Sequence, residues 1–371
     1  MKCIKCQTDN KLKERKENNG KCKSCKHPFT FDPKISDSFT DQYFANALST
    51  ISVNDSLYFT PRQFYYFFNS RKYATKWKGL GCITMVLGVA MLIAGIATSS
   101  FFLLFVFLLL FGTSIALWLP PVQKWLRGKM DKKVKADIHQ VNQWLERWMA
   151  NNGKQPKLLP PPAQQTMPAK LSQEVTAYSF DRAVICENKN IAHFLIANNF
   201  HFENNCAVLS VDGYPQSIFS TVLEMLHRNP ELKVYALHDA SPLGVQLVHH
   251  LRTGQRWFAE SHGVTIYDLG LLPRQVMQRP MFIGQDSTFA NQARAIPVEV
   301  CNSLTPEELK WLGEGKYVEL ESLAPMMLLK LLRDGIAKSR NPQEDDALVM
   351  VGDGGYYGGS DVAVYSVDSF G

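Results

Sequence analysis

The sequence predicts a multidomain chain: a small metal-centred knot at the N-terminus, a two-helix membrane hairpin, and a C-terminal α/β domain on a parallel sheet. Three observations carry this reading. Two Cys-x2-Cys pairs fall in the first 25 residues, two uncharged runs of nineteen residues follow with three residues between them, and from residue 182 apolar runs of strand length alternate with helical periods. At 371 residues the chain has room for two or three domains.

The knot rests on Cys3, Cys6, Cys22 and Cys25. Two such knuckles place four thiolates around one tetrahedral Zn²⁺, so zinc is the expected cofactor and residues 1–30 read as a zinc ribbon. The stretch Gln7–Lys21 is too polar to build a core, so the metal must hold it. His27 is an alternative ligand, although four cysteines suffice. The other cysteines (Cys82, Cys186, Cys206, Cys301) are scattered in apolar settings, which fits small core residues in a reducing compartment. The first 30 residues are polar and basic and do not read as a signal peptide. Residues 1–27 hold nine Lys/Arg against three Asp/Glu. Such a surface suits nucleic acid, anionic lipid or plain solvation, or offsets the charge of a zinc–thiolate centre.

Residues 36–78 read as two short helices. Thr60-Pro61-Arg62-Gln63 has the N-cap, the Pro at N1 and the Gln at N3 of a helix start. The aromatic run Phe64–Phe68 then packs in a small core, on the knot or on a membrane surface. The hairpin is expected over 79–120, from Gly79–Ala97 and Phe101–Leu119. Each run is long enough to cross hydrocarbon, and Gly81, Gly88 and Gly95 form a small stripe for close helix approach. Cations flank both outer ends, from Arg71 to Lys78 and from Lys124 to Lys135, so both termini are expected on the cytoplasmic face of a bacterial inner membrane. Residues 121–150 read as an amphipathic juxtamembrane helix and 151–175 as a Pro-rich linker.

The α/β domain is expected over 176–340. Its strands are 182–186, 206–211, 233–238 and 264–268, with helices at 189–198, 216–228 and 243–253. Glu187 ends the first strand and Asp239 the third, at the sheet edge where open α/β folds bind ligands. Helix caps are the plainer role for such acids. Residues 182–296 balance at nine Lys/Arg and nine Asp/Glu, while 297–371 hold six and thirteen, so this half is not a strong phosphate-binding surface. The Gly- and Asp-rich tail 341–371 reads as a flexible extension or a docking peptide.

At these residues the chain resembles the Toprim fold, as found in type IIB topoisomerases (their A chain) and the related meiotic double-strand-break protein. The likeness lies in Val184-Ile185-Cys186-Glu187, Asp212-Gly213-Tyr214-Pro215, Asp239-Ala240-Ser241-Pro242-Leu243-Gly244 and Leu269-Gly270-Leu271-Leu272-Pro273. It implies a Mg²⁺ site at Glu187 and Asp239, with Asp212 a further ligand and Gly213, Ser241 and Gly244 in the binding turns. Two departures stand out. Ser241 replaces the second acid of the family's Asp-x-Asp, and no winged helix carrying the family's nucleophilic tyrosine is legible before the domain. The expected function is therefore a membrane-anchored, degenerate scaffold that gathers protein partners through the zinc ribbon and the tail. The alternative is a Mg²⁺-dependent nuclease or phosphotransfer enzyme acting on nucleic acid, with Glu187 and Asp239 catalytic and His238, His249, His250 and His262 available for acid–base work, although a surface or core place is the plainer role for each histidine.

Overall fold

A computed structural model describes residues 1–34, 39–98, 101–118, 136–162, 180–229, 231–259, 264–277, 279 and 281–338. Short apolar runs become the parallel sheet β1 (Arg182–Cys186), β2 (Cys206–Ser210), β3 (Lys233–Leu237) and β4 (Ile266–Asp268), in the order β2-β1-β3-β4. Alternate side chains serve two cores. Val184, Val208, Tyr235 and Leu237 face one, and Ala183, Ile185, Leu209 and Ala236 the other. Both faces are therefore buried, as a parallel sheet requires.

The helices follow from the same patterning. In the N-terminal part they are α1 (Leu12–Glu17), α2 (Asp41–Ile51), α3 (Pro61–Thr98), α4 (Phe101–Trp118) and α5 (Ile138–Asn152). In the α/β unit come α6 (Lys189–Ala197), α7 (Phe200–Glu203), α8 (Phe219–Arg228) and α9 (Leu247–Thr253). The C-terminal layer has α10 (Pro273–Val276), α11 (Ser287–Ala293), α12 (Val298–Cys301), α13 (Pro306–Gly313) and α14 (Pro325–Lys338), with the short antiparallel pair β5 (Gly284–Gln285) and β6 (Lys316–Tyr317). The side chain of Asn188 caps α6 by accepting from Ile191 N–H. Helix α6 joins β1 to β2 across the first core, and α8 leads from β2 over the second to β3, on the other side of β1. The strand order thus reverses direction between β1 and β3, and such a switch point is where open α/β folds bind ligands.

The N-terminal part has its own aromatic core. Phe31, Phe44, Phe64 and Phe68 are buried there, with Trp144 and Trp148 of α5 closing it. Of the homes expected for the run Phe64–Phe68, it occupies a small core. That core meets the α/β unit through Phe59, whose backbone pairs with Lys157 and Leu159, and through Tyr58, whose N–H and C=O both bond the Asn198 side chain.

The membrane reading is corrected. Among the described residues no helix is long and apolar enough to cross a membrane. The first expected span is the distal part of α3, a 38-residue helix whose opening turns lie in the aromatic core with buried Gln63, Asn69 and Ser70. The second, α4, has 18 residues and carries Gly112, Thr113 and Ser114, short of the roughly 20 apolar residues a span needs. The two helices do pair as a hairpin, and a Cβ on Gly88 would stand at ordinary contact distance from Leu110 and Phe107. Val86, Ile93 and Phe102 stand exposed on it. A transmembrane hairpin at 79–120, an integral-membrane location and a membrane partner are therefore withdrawn. Residues 121–135 and the tail 341–371 lie outside the described residues, as does most of the linker.

Candidate functional site

Register places Cys186 of β1 beside Leu237 of β3, so Glu187 and Asp239 leave adjacent strand ends. The Asp239 N–H donates to Glu187 Oε2 at 2.9 Å. A Cβ on Gly244 would stand 2.1 Å from the Asp239 carbonyl oxygen and 3.0 Å from Glu187 Oε2, so this turn closes only on glycine. Ser241 Oγ accepts from Gly244 N–H at 2.9 Å and donates to Glu187 Oε1 at 3.4 Å. The serine that replaces an acid thus caps the turn and orients Glu187. Burial pushes the Glu187 carboxyl above its usual range, with His238 opposing. Asp239 is raised well above its range by burial and then by the Glu187 charge, although its Oδ1 accepts from Leu320 N–H at 2.7 Å.

Asp212 and Gly213 take a different place. They sit in the turn after β2, across β1 from Asp239, with Asp212 exposed and the Gly213 N–H bonded to Ser210 O. His249 and His250 lie on α9, and His262 falls outside the described residues.

Sequence reasoning missed two features of this edge. The first is Asp268 at the end of β4, whose Oδ1 lies 2.9 Å from Nε2 of His238; His238 is fully buried, with Nδ1 2.8 Å from Asp239 O. Burial disfavours its charge, but the Asp268 charge and hydrogen bond prevail and raise it to about 9. The signal was present in the acid that ends the fourth strand. The second feature has no local signal. Glu319 and Glu321 follow β6, and the charge of Glu319 raises both Glu187 and Asp239. From the start of α3, Arg62 grips Glu319 through Nε and, at 2.5 Å, through Nη2. Tyr66 Oη donates to Glu319 Oε2 at 3.0 Å, and Thr60 Oγ1 donates to Glu321 Oε1 at 2.5 Å. Tyr66 is buried against Phe282, and burial followed by the Glu319 charge holds its phenol far above the ordinary range. Arg62 stays charged, since its bonds to Glu319 outweigh burial, and its side chain is 44% exposed.

The cysteines form a second centre. Cys3, Cys6, Cys22 and Cys25 lie with all four Sγ atoms within 4.8 Å of one another, the one such cluster of metal-ligating groups among the described residues. Cys3 and Cys25 are 3.6 Å apart and Cys6 and Cys22 3.5 Å. Thiolates about 2.3 Å from a tetrahedral zinc stand about 3.8 Å from each other, so the geometry fits. Asn10, fully buried, donates through Nδ2 to Cys22 Sγ and accepts Lys23 N–H on Oδ1, joining the two halves. His27 is not a ligand in this arrangement. Its Nε2 lies 3.1 Å from Asn152 Oδ1 of α5.

Comparison with known proteins accords with the sheet and its acidic edge. No curated protein matches the chain. The C-terminal α/β unit is Toprim-like: residues 183–324 match the family model for the Toprim domain of Spo11 and the A chain of topoisomerase 6.

Proposed function

We propose that this chain acts on nucleic acid, and that the edge between β1 and β3 performs metal-assisted phosphoryl transfer on a phosphodiester. One observation carries the reading. A hydroxyl from outside the α/β unit, Tyr66 Oη, is bonded to a carboxylate, Glu319, whose charge reaches the Glu187–Asp239 pair. The family match supports the substrate class. The scaffold reading depended on a membrane and is not carried forward.

Glu187 and Asp239 would hold a hydrated Mg²⁺, which commonly takes one or two carboxylates and keeps several waters. Two half-buried acids on adjacent strand ends, with the Glu187 charge raising Asp239, are a donor set that suits a divalent cation. When bound, the cation would stabilise charge on the transferring phosphoryl group. The remaining chemistry falls to the chain. Glu319 Oε2 takes the Tyr66 proton as Oη attacks phosphorus. A phosphotyrosine bond forms, one P–O bond to the sugar breaks, and the departing oxygen takes a proton from water. Arg62, fixed by Glu319, faces the incoming phosphate with its exposed edge. The four cysteines would hold structural Zn²⁺.

The test is a denaturing gel of full-length protein incubated with end-labelled duplex DNA and Mg²⁺. Wild type should give a protease-sensitive protein–DNA adduct. Tyr66→Phe should give none, and Glu319→Gln should slow adduct formation roughly 10²- to 10⁴-fold. An adduct that survives Tyr66→Phe, or no adduct from wild type with either Mg²⁺ or Mn²⁺, refutes the reading.

A further inference from the structure

We infer that the cysteine-centred module is a docking surface for the phosphate backbone of duplex DNA; this rests on the nucleic-acid reading above and names what brings the substrate to it. The observation is a lysine surface without acidic partners. Lys2, Lys5, Lys11, Lys16, Lys21 and Lys26 are all exposed, and none forms an ion pair with an acid among the described residues.

The acids nearby are committed elsewhere. Asp9 holds the N-terminal amine at 2.8 Å. Glu14 accepts the Lys11 N–H at the start of α1 and pairs with Lys23 at 2.8 Å. Asp32 is buried against Arg15, which takes that one arginine out of the surface charge. Nine Lys/Arg against three acids in residues 1–27 leave a clear positive excess, and a zinc–tetrathiolate centre would remove only about two charges of it.

The two knuckles repeat each other, and so does their charge. Each closes with one antiparallel bridge, Lys2 to Asp9 and Lys21 to Pro28. Gln7 and Lys26 take the same left-handed conformation, φ +59° in both, after the second cysteine of each. Lys2 and Lys21 therefore occupy equivalent places on a rigid frame, unlike cations on a loose tail.

The frame is also fixed to the element that serves the acidic edge. Arg147 donates to Thr30 O at 2.8 Å, Asn151 and Asn152 donate to Thr30 Oγ1 at 3.2 Å, and Trp148 stacks on Phe31. Trp148 of α5 encloses the aromatic core together with Phe64 and Phe68 of α3, the helix that carries Arg62 and Tyr66. The α/β unit cannot supply the attraction, since residues 182–296 are balanced and 297–371 are acidic. Phosphate affinity therefore has to come from outside the α/β unit, and the module packs nine Lys/Arg against three acids into 27 residues.

The experiment measures fluorescence anisotropy of a labelled DNA duplex with full-length protein in EDTA-free buffer without Mg²⁺, between about 50 and 200 mM KCl. The variant combines Lys2→Ala, Lys5→Ala, Lys16→Ala and Lys21→Ala, and its zinc content is measured to confirm that the module is folded. Affinity should fall, and the slope of log K against log salt should lose about one unit for each lysine that contacts phosphate. An unchanged slope in a zinc-loaded quadruple variant overturns the inference. So does wild type that binds phosphatidylserine vesicles but not duplex. If the lysine variant loses duplex binding while wild type forms no covalent adduct, the docking surface stands and the phosphoryl-transfer reading falls.

Discussion

Gly270 decides where His238 stands. A Cβ there would lie 2.2 Å from the imidazole Cδ2 and Nε2, and the ring is fully buried, so it has nowhere to yield. Gly270→Ala should therefore destabilise the α/β unit by about 1–3 kcal/mol, the usual cost of overpacking. Urea unfolding checks this, and an unchanged midpoint would show that the ring does not occupy that space. Ser241 shows what a motif alone leaves out. In the sequence it is only a departure from the family's Asp-x-Asp. In the fold it caps the turn to Gly244 and orients Glu187. Glu319 was invisible for the opposite reason. Nothing around it marks a site, because its partners Arg62 and Tyr66 are more than 250 residues away and only the fold brings them together.

Elements were legible where burial alone determines them. The runs Arg182–Cys186 and Lys233–Leu237 are apolar on both faces, have strand length and are bounded by polar residues, so strand was the one economical reading. Helix α3 was not legible as one element. Arg71, Lys72, Lys76 and Lys78 looked like a boundary, yet lysine and arginine are good helix formers and do not by themselves end a helix. Composition likewise gave the distal hairpin apolar character without giving its length or its start in a polar-flanked core. The cysteine module makes the sharpest prediction at this scale. Its only helix is α1, six residues long, far below what stands alone in water. Removing the metal with a chelator, or Cys22→Ser, should therefore cost residues 1–30 their amide protection while β1 and β3 keep theirs. Hydrogen exchange with mass spectrometry reads both at once, and continued protection of the module without metal would show that the cysteines do not hold it together.

The molecule as a whole depends on how its N-terminal part is fastened to the α/β unit, and Glu321 is the titrating group of that joint. It is 5% exposed and accepts the Thr60 hydroxyl at 2.5 Å, while Gln63 reaches Leu323 O at 3.4 Å beside it. Burial raises Glu321 to about 7 from 4.5; the Thr60 bond and Arg62 oppose the shift, and Glu319 adds to it. Asp239, packed against the same segment, feels the Glu321 charge as well. The sign follows from linkage. Between about pH 4.5 and 7 the unfolded chain has released this proton and the folded one still holds it, so stability falls as pH rises through that window and the loss is complete above it. At about 1.4 kcal/mol per unit, the full effect is about 3 kcal/mol. Glu321→Gln keeps an acceptor for Thr60 and removes the titration. Denaturation followed across this pH range should show wild type losing stability relative to the variant, with the gap opening upward in pH. Parallel curves would mean that Glu321 ionises as freely in the folded chain as in the unfolded one, and that the joint between Thr60 and the α/β unit is open to water.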